Sequence, residues 1–386
     1  MIKNQFLKKF ITNVFLTPIS FVNNHLRHDN KRILLYSNLG FRDNIKALYD
    51  YLIEHQYNKR YKIYCCVNDY KHYKDKAPHD VMFKSCVHGP YYYLQCKYVF
   101  YCFGKLPIVP ARDQMVVQMW HGSPFKAPDE SMLHTHKVRK PFYTYALSAA
   151  DFFVPIWSHI YSMPQDRIMV CGHPRTDVLL RKDNPTYDFG EYEKLVLWAP
   201  TFRKSSILGY NDTEGNDILP ILKTKEDLQA MNNSLQTLNI KVVVKLHPMQ
   251  DLSAYSLIEM SNIILLSQAE FIQRTMDLYI LAAQSDALIT DYSSMFYDYL
   301  LTDNPIGFTV DDEKAYKEKR GFVFDNPKDF QPGDKLRNFE ELLAFFKKLS
   351  VGEDHYKQER ARVRLLSNKY TDGQNCLHLL EKCGIK

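Results

Sequence analysis

The sequence predicts an α/β protein of two Rossmann-like domains whose parallel sheets face a cleft. Short apolar runs alternate with helical stretches along the whole chain, a pattern typical of parallel sheets covered by helices. The length of 386 residues exceeds what one ordinary hydrophobic core fills, so two domains are expected. The polar segment 181–193 contains Pro and Gly, and it predicts a linker between an N-terminal domain at 32–180 and a C-terminal domain at 194–386.

Both halves of the chain contain apolar runs of strand length that are bounded by polar or turn-forming residues. Strands are predicted at 32–36, 61–67, 98–102, 115–119, 152–156, 168–171, 195–199, 242–246, 263–266, 287–290 and 306–310. Helices are predicted at 42–54, 225–238, 271–283, 339–349 and 355–367. A last helix, opened by Asp372 and Gly373, either stays with the second domain or crosses back to the first.

Composition and missing motifs exclude several classes of protein. The eight cysteines form no CxxC pair and match no zinc spacing, so reduced thiols in a cytoplasmic protein are the simplest interpretation. A formal charge of +6 permits an anionic substrate, but no basic stripe interleaves with aromatic residues, which argues against nucleic acid as a partner. The sequence lacks the motifs of phosphate loops, dinucleotide-binding folds, zinc proteases and serine hydrolases.

The segment 1–31 contains an amphipathic stretch. Apolar residues from Ile2 to Val14 recur near helical spacing, and three lysines among them add positive charge. Two interpretations stay open, because a helix of this kind suits either an anionic membrane surface or a face of the first domain. No run of 18 apolar residues occurs in the sequence, so no membrane-spanning helix is expected.

Two adjacent serines, Ser293 and Ser294, stand between the predicted strand at 287–290 and the start of an amphipathic helix. A helix N-terminus offers free N–H groups and a partial positive charge, and both suit a phosphate group. Serine is also a common helix cap, so the residues alone leave a binding role and a structural role open.

Two histidines follow predicted strands directly. His121 lies in the segment WHGSPFK on an exposed turn, where its imidazole could accept a proton from a hydroxyl nucleophile. His247 follows Lys245 in the segment KLHP, where the two side chains could stabilise charge on a phosphate. Two more motifs follow strands: GHPRTD, in which Arg175 suits an oxyanion and Asp177 is expected to cap the next helix, and APTFR, which adds Arg203. A structural loop histidine is the alternative for each imidazole.

Taken together, the ordered motifs resemble the CDP-glycerol glycerophosphotransferase family, whose members build teichoic acids and related glycerol-phosphate or ribitol-phosphate polymers. The motifs are WHGSPFK, GHPRTD, APTFR, KLHP, TDYSSMFYDY, a segment from Pro305 to Gly321 and a terminal Asp372-Gly373. They span about two-thirds of the chain, from Trp120 to His378. At His378 the sequence departs from the family, which often has an Arg there.

The resemblance implies a GT-B-type fold in which the C-terminal domain holds most of the nucleotide-activated donor. His121 is the implied base, and His247 is the implied ligand of the donor phosphate. The implied donor site further contains Arg203, Lys245, Ser293, Ser294 and Asp298. Additional contacts with phosphate or acceptor are expected from Lys126, Arg175 and Arg320. Neither a metal ion nor another cofactor is expected, since CDP-glycerol or CDP-ribitol is the substrate.

The implied reaction moves glycerol phosphate or ribitol phosphate from its CDP-activated form to a hydroxyl group of a teichoic-acid-like or capsular polymer, and it releases CMP. The enzyme would work in the cytoplasm, peripherally at the inner face of the cell membrane, on a polymer or lipid-linked acceptor. Two other functions stay open: a GT-B glycosyltransferase that uses a nucleotide-sugar for capsule or lipopolysaccharide synthesis, and a non-catalytic polymer-binding protein. The sequence does not choose between glycerol and ribitol, or between one addition and many.

Overall fold

The computed structural model describes residues 17–102, 106–128, 142–200, 204–205, 210–211, 219–245 and 260–386. Within these ranges the strands are β1 (Asp29–Ser37), β2 (Lys62–Val67), β3 (Val81–Lys84), β4 (Cys96–Tyr101), β5 (Met115–Gln118), β6 (Tyr145–Ser148), β7 (Ile168–Val170), β8 (Lys194–Trp198), β9 (Lys204–Ser205), β10 (Tyr210–Asn211), β11 (Ile240–Lys245), β12 (Ile263–Leu266), β13 (Ala287–Thr290), β14 (Ile306–Thr309) and β15 (Asp334–Leu336). The helices are α1 (Thr17–Asn23), α2 (Asp43–Glu54), α3 (Gly89–Tyr93), α4 (Val154–Tyr161), α5 (Asp177–Leu180), α6 (Lys225–Thr237), α7 (Gln268–Gln273), α8 (Leu278–Gln284), α9 (Met295–Tyr299), α10 (Glu313–Lys319), α11 (Phe339–Ser350), α12 (Lys357–Ser367) and α13 (Asn375–Lys382). None of the helices in these ranges is long and apolar enough to cross a membrane.

The chain divides into two units by its internal contacts. The first unit comprises Met1–Gly122, Glu130–Asp177 and Lys369–Lys386, and the second comprises Ser123–Asp129 and Val178–Asn368. Helix α13 therefore belongs to the first unit, and the segment that follows His121 belongs to the second. The sequence leaves both units open for this last helix, and the boundary that it predicts at 180 lies inside the second unit, whose main stretch begins at Val178.

The first unit is built on a seven-stranded parallel sheet of order β3-β2-β1-β4-β5-β6-β7. The chain winds outward from β1 to β3, and it then continues on the other side of β1 with β4. The strand order thus reverses between β1 and β4. In open α/β sheets, ligands bind beyond the carboxyl ends of the strands at such a reversal point.

The second unit contains a six-stranded parallel sheet of order β12-β11-β8-β13-β14-β15. Numbered within the unit, this is the Rossmann order 3-2-1-4-5-6, and its reversal point lies between β8 and β13. Strands β9 and β10 form a separate antiparallel pair. The predicted class of two parallel α/β domains is therefore confirmed.

Apolar strands bury both faces of each sheet. In β1, Ile33 and Leu35 belong to the hydrophobic cluster on one face, and Leu34 and Tyr36 belong to the cluster on the other face. Parallel strands of this kind appear as continuous apolar runs in the sequence, since helices cover them on both sides. All eight cysteines are free thiols, and most of them are buried in these clusters or beside them.

The strand predicted at 152–156 is wrong. Residues Asp151–Phe153 form a 3-10 turn, and α4 begins at Val154, with Pro155 in its first turn. Proline suits this place because its missing N–H would have no partner in a first turn anyway. The strand that pairs with β5 and β7 is instead β6, which the sequence reading missed together with β3 and β15.

The helix predicted at 271–283 is two helices, α7 and α8. Ser267 and Glu270 form a capping box at the start of α7, and the Asp277 carboxylate accepts the backbone N–H of Tyr279 at the start of α8. Each cap satisfies N–H groups that the first turn of a helix leaves without a partner, so two separate helices begin within this segment.

Candidate functional site

Four loops of the first unit meet at the carboxyl edge of its sheet. Asp43 and Asn44 begin α2, the helix that follows β1, and the residue after β4 is Cys102. Trp120 and His121 follow β5, and the GHPRTD segment follows β7. Because the strands are parallel, these four chain segments emerge at one edge, and β1 and β4 flank the point where the strand order reverses.

Asp43 and Arg175 form a buried ion pair. Arg175 Nη1 donates to Asp43 Oδ1 at 2.9 Å and to Oδ2 at 2.8 Å, and the two side chains are 17% and 5% exposed, with Arg175 the more buried. Burial acts to raise the pKa of Asp43, but the Arg175 guanidinium, His121 and the Asn44 backbone N–H hold that pKa below its usual range. The carboxylate therefore stays ionised at neutral pH.

Asn44 links three segments of this edge. Its side-chain amide donates to the Trp120 carbonyl at 3.0 Å, and its Oδ1 accepts the backbone N–H of Arg175 at 3.1 Å. The Cys102 thiol also donates to the Trp120 carbonyl. Asn44 is fully buried, so these bonds are shielded from water and hold the loops after β5 and β7 against the start of α2.

His121 is exposed at this edge, and the backbone beside it is strained. Its ring lies 4.2 Å from the ring of Trp120, centroid to centroid. Trp120 has a φ of 53°, and Asp43 has a φ of 60°. Left-handed conformations are costly for residues with side chains, and they cluster at functional sites, where the surrounding bonds over-determine them.

His173 is the buried counterpart of His121. Burial first, and the Arg175 cation second, lower the pKa of His173 to about 3, so its imidazole is neutral. Its Nδ1 lies 3.5 Å from the Asn44 amide. Among the described residues, its Nε2 has no hydrogen-bond partner. Of these two imidazoles, only that of His121 is reached by solvent.

The last helix is tied to the GHPRTD segment. The Asp177 carboxylate accepts the backbone N–H groups of Asn375 and Cys376, each at 2.8 Å, so it caps α13 rather than the helix that directly follows it. Burial raises the pKa of Asp177 to about 6. His378, which replaces the frequent Arg, lies with its Nε2 2.8 Å from Asp372 Oδ2, so the terminal Asp-Gly turn is held locally.

In the second unit, Ser293 and Ser294 lie between β13 and α9, beside the reversal point of the sheet. Asp291 Oδ1 accepts the Ser293 backbone N–H at 3.2 Å, and Ser293 Oγ accepts the backbone N–H of Met295 at 3.3 Å. The Ser294 side chain makes no cap hydrogen bond. Asp298 is buried in α9 and accepts a hydrogen bond of 2.5 Å from the Tyr279 hydroxyl.

The structure brings Lys126 to the segment that contains Arg320. Lys126 pairs with Phe322 in an isolated antiparallel bridge, and the Ala127 backbone N–H donates to the Gly321 carbonyl at 3.0 Å. Lys126 Nζ lies 6.0 Å from the centre of the Tyr316 ring. Two motifs that are almost 200 positions apart in the chain thus lie side by side in the second unit.

The remaining predicted donor residues belong to the second unit. Lys245 ends β11, next to β8, and its Nζ lies 5.0 Å from the centre of the Phe271 ring. Arg203 and His247 lie outside the described residues.

Asp43 and Asn44 of the first unit were not predicted as site residues from the sequence. The polar residues 42–44, which open the helix after β1, could have indicated them, since the first strand of a Rossmann-like domain borders its reversal point.

Two Rossmann-like units in one chain, each with polar side chains at the reversal point of its parallel sheet, are the elements of a GT-B-type fold. Residues 19–382 match the family model of CDP-Glycerol:Poly(glycerophosphate) glycerophosphotransferase, and the chain belongs to this family. The prediction made from the ordered motifs is thereby confirmed.

The relatives of this chain among known proteins are named as enzymes of teichoic acid synthesis. The chain is 28% identical over 70% of its length to a teichoic acid ribitol-phosphate primase of Bacillus spizizenii, 69% of which is covered. It is 24% identical to a teichoic acid glycerol-phosphate transferase of Staphylococcus aureus, with 97% of each chain covered. The solved structure of the wall teichoic acid polymerase TagF superposes with a TM-score of 0.72 at 21% identity and covers 100% of this chain and 98% of its own, which shows a shared fold.

Proposed function

We propose that this transferase moves glycerol phosphate or ribitol phosphate from a CDP-activated donor to a hydroxyl group of a teichoic-acid-like polymer, with release of CMP. Family membership over residues 19–382 carries the proposal. The relatives named above include an enzyme for each polyol phosphate, so both donors belong to the proposed substrate class. Capsular polymers and lipid-linked acceptors remain further proposed acceptors.

In the proposed reaction, an acceptor hydroxyl attacks the phosphorus atom that carries the polyol. A new oxygen–phosphorus bond forms, the bond to the bridging oxygen of the pyrophosphate breaks, and CMP leaves with that oxygen. His121 accepts the hydroxyl proton, a role that its solvent-exposed imidazole permits. Transfer of this kind depends on positioning and on neutralisation of charge more than on covalent catalysis. We propose that it needs neither a metal ion nor another cofactor.

The donor is proposed to bind at the carboxyl edge of the second sheet. Ser293 and Ser294 stand at its reversal point, and their hydroxyl groups are proposed to bind the pyrophosphate. Lys245, His247 and Arg203 are proposed to balance the charge of the leaving phosphate, and Asp298 is proposed to support the site from within α9. Lys126 and Arg320 remain proposed contacts with phosphate or acceptor. Arg175 is also kept among them, although its guanidinium is engaged by Asp43 in the structure.

An assay of CMP release tests the proposal. The full chain is incubated with CDP-glycerol or CDP-ribitol and a panel of polymer acceptors, and UDP-sugars serve as the competing donors. Release of CMP that depends on an acceptor is the expected result. Turnover of UDP-sugars alone would replace the proposal with the glycosyltransferase, and binding of polymer without turnover of any donor would replace it with the binding protein.

Replacement of both Ser293 and Ser294 by Ala should weaken the affinity for CDP-glycerol about tenfold or more. The change removes two hydroxyl groups that are proposed to bind the pyrophosphate, and a hydrogen bond to a charged group contributes roughly 1.5–3 kcal/mol. Calorimetry with CDP-glycerol and with CMP measures the loss. Asn338→Ala is the matched control, because it removes the cap of α11, at the outermost strand of the same sheet. Equal donor affinity in both variants would assign the serines a purely structural role.

We further propose peripheral contact with an anionic membrane through the N-terminal segment. Helix α1 exposes Phe21, which is 70% exposed, and Val22. The body of the protein holds this helix at Asn23, whose amide donates to Gln114 Oε1 at 2.7 Å. Apolar side chains beside lysines suit the headgroup region of such a membrane.

Deletion of residues 2–16 should reduce sedimentation with anionic vesicles and spare activity on a soluble acceptor. The deletion removes three lysines and leaves the Asn23 anchor in place. Neutral vesicles are the control, since part of the binding is electrostatic. Unfolding of the truncated chain would support the alternative of a helix packed on the first domain, and undiminished sedimentation would move the contact to another surface.

A further inference from the structure

His121 does not stand alone at its edge of the sheet. It follows Trp120, whose carbonyl is bound by Asn44 from the start of α2, and Asn44 also binds the backbone of Arg175. Asp43, the neighbour of Asn44, pairs with the Arg175 side chain. One turn of α2 thus controls both the backbone before His121 and the charges near it.

We propose that Asn44 and Asp43 are positioning residues for His121. Asn44 fixes the Trp120 peptide and with it the direction of the imidazole, and Asp43 sets the charge near that imidazole in balance with Arg175. The inference rests on the proposed role of His121 as the base of the transfer reaction. It assigns to two residues among the first 110 of the chain the orientation of the His121 imidazole and the charge next to it.

The strained backbone supports this role. Trp120 at a φ of 53° and Asp43 at a φ of 60° are both left-handed, and Asn44 and the Cys102 thiol hold the carbonyl of the first of them. A left-handed Trp costs free energy that a plain loop would avoid, so the bonds that enforce it indicate a selected direction of the following residue. A general base must lie within hydrogen-bonding reach of the hydroxyl proton, and misdirection of the imidazole lowers the rate.

The charges follow a simple sign rule. The charge on protonated His121 is one of the causes that lower the pKa of Asp43, and the interaction between two charges is mutual. The Asp43 carboxylate therefore favours the protonated imidazole, and the Arg175 guanidinium offsets part of this attraction because it pairs with that carboxylate at 2.8 Å. Burial raises the pKa of the Cys102 thiol well above its usual value, so that group contributes no charge. Removal of Asp43 and removal of Arg175 must shift the protonation of His121 in opposite directions.

The test uses the pH dependence of kcat/KM for the full chain with CDP-glycerol and a soluble acceptor. Asp43→Asn should move the acid limb down by about one pH unit, and Arg175→Gln should move it up by a similar amount. Asn44→Ala should lower kcat about tenfold and leave both the acid limb and the donor KM unchanged, since it removes no charge. Asp50→Asn is the matched control, because Asp50 lies on the same helix and pairs with Lys46 on the half-exposed surface of that helix.

Asp43→Asn keeps the size and shape of the side chain, although it leaves the Arg175 cation without its counter-charge. Asn adopts left-handed conformations more readily than other residues with side chains, and its amide oxygen can still accept from Arg175. NMR titration of histidine-labelled protein, with the His121 signal assigned by its loss in His121→Gln, reports the same shift without any turnover. Failure of the transfer reaction with both donors would thus remove the proposed function and leave the charge balance measurable. Shifts in the same direction for Asp43→Asn and Arg175→Gln, or no shift in either, would overturn the inference.

Discussion

Replacement of His121 by Ala is expected to lower the turnover of CDP-glycerol about a hundredfold or more, since general bases commonly contribute factors of this size. The imidazole is exposed at the carboxyl edge of the first sheet, while its neighbour His173 is buried and neutral. Of these two imidazoles, only that of His121 is therefore available to solvent. Donor affinity should change little, because the donor is proposed to bind to the second unit. Turnover is measured by CMP release, and affinity is measured by calorimetry.

A second histidine variant provides the control for this prediction. His79→Ala removes an imidazole whose side chain is 93% exposed and which precedes β3, at the opposite edge of the same sheet. Its turnover should equal that of the unchanged protein. Near-normal turnover of His121→Ala, with normal folding, would refute the assignment of His121 as the base.

Replacement of Gly172 by Ala should destabilise the protein by roughly 3 kcal/mol and reduce its activity. Gly172 has a φ of 76°, and an added Cβ would lie 2.0 Å from Asn375 Oδ1. Asn375 cannot move aside easily, because its amide donates to Thr176 Oγ1 at 2.8 Å and its backbone N–H donates to Asp177. A left-handed residue with a side chain costs about 1–2 kcal/mol, and overpacking adds about 1–3 kcal/mol. The segment that would shift contains Arg175, so the frame around His121 shifts with it.

Gly384→Ala separates the two contributions. Gly384 has a φ of 69°, but nothing lies within 4 Å of its added Cβ, so only the conformational cost of about 1–2 kcal/mol applies. Denaturant unfolding of both variants measures the difference in stability. A loss of stability that is equal in the two variants would show that the first unit relaxes around the Gly172 methyl group without cost.

The sequence by itself determined the class of fold, because parallel strands buried on both faces leave continuous apolar runs. β8, β11 and β13 were all predicted in this way, and their bounds agree with the structure within about two residues. Periodicity could not show whether the run 152–156 forms a strand or part of a helix, since five apolar residues suit either element. Whether such a run forms a helix or a strand depends on its contacts with distant segments, and the local sequence pattern carries no information about those contacts.

The family was also determined by the sequence, since the order of short motifs is a property of the chain itself. His121, Ser293 and Ser294 could be named because each follows a recognisable strand and shows the residue types that the chemistry needs. The structure could not have suggested the substrate class on its own, because one fold serves many reactions.

Only the tertiary structure showed what surrounds these residues. Asp43 and Arg175 are 132 positions apart, and their pairing depends on the parallel strands of the first sheet, which bring the segments after β1 and β7 to the same carboxyl edge. The same holds for Asp177, which caps a helix almost 200 positions away rather than its neighbour. Hydrogen bonds and charge pairs of this kind require atoms to lie within a few ångströms. Linear spacing determines such proximity only within one helix or one turn. The orientation of the proposed base and the charges around it could therefore be described only from the tertiary structure.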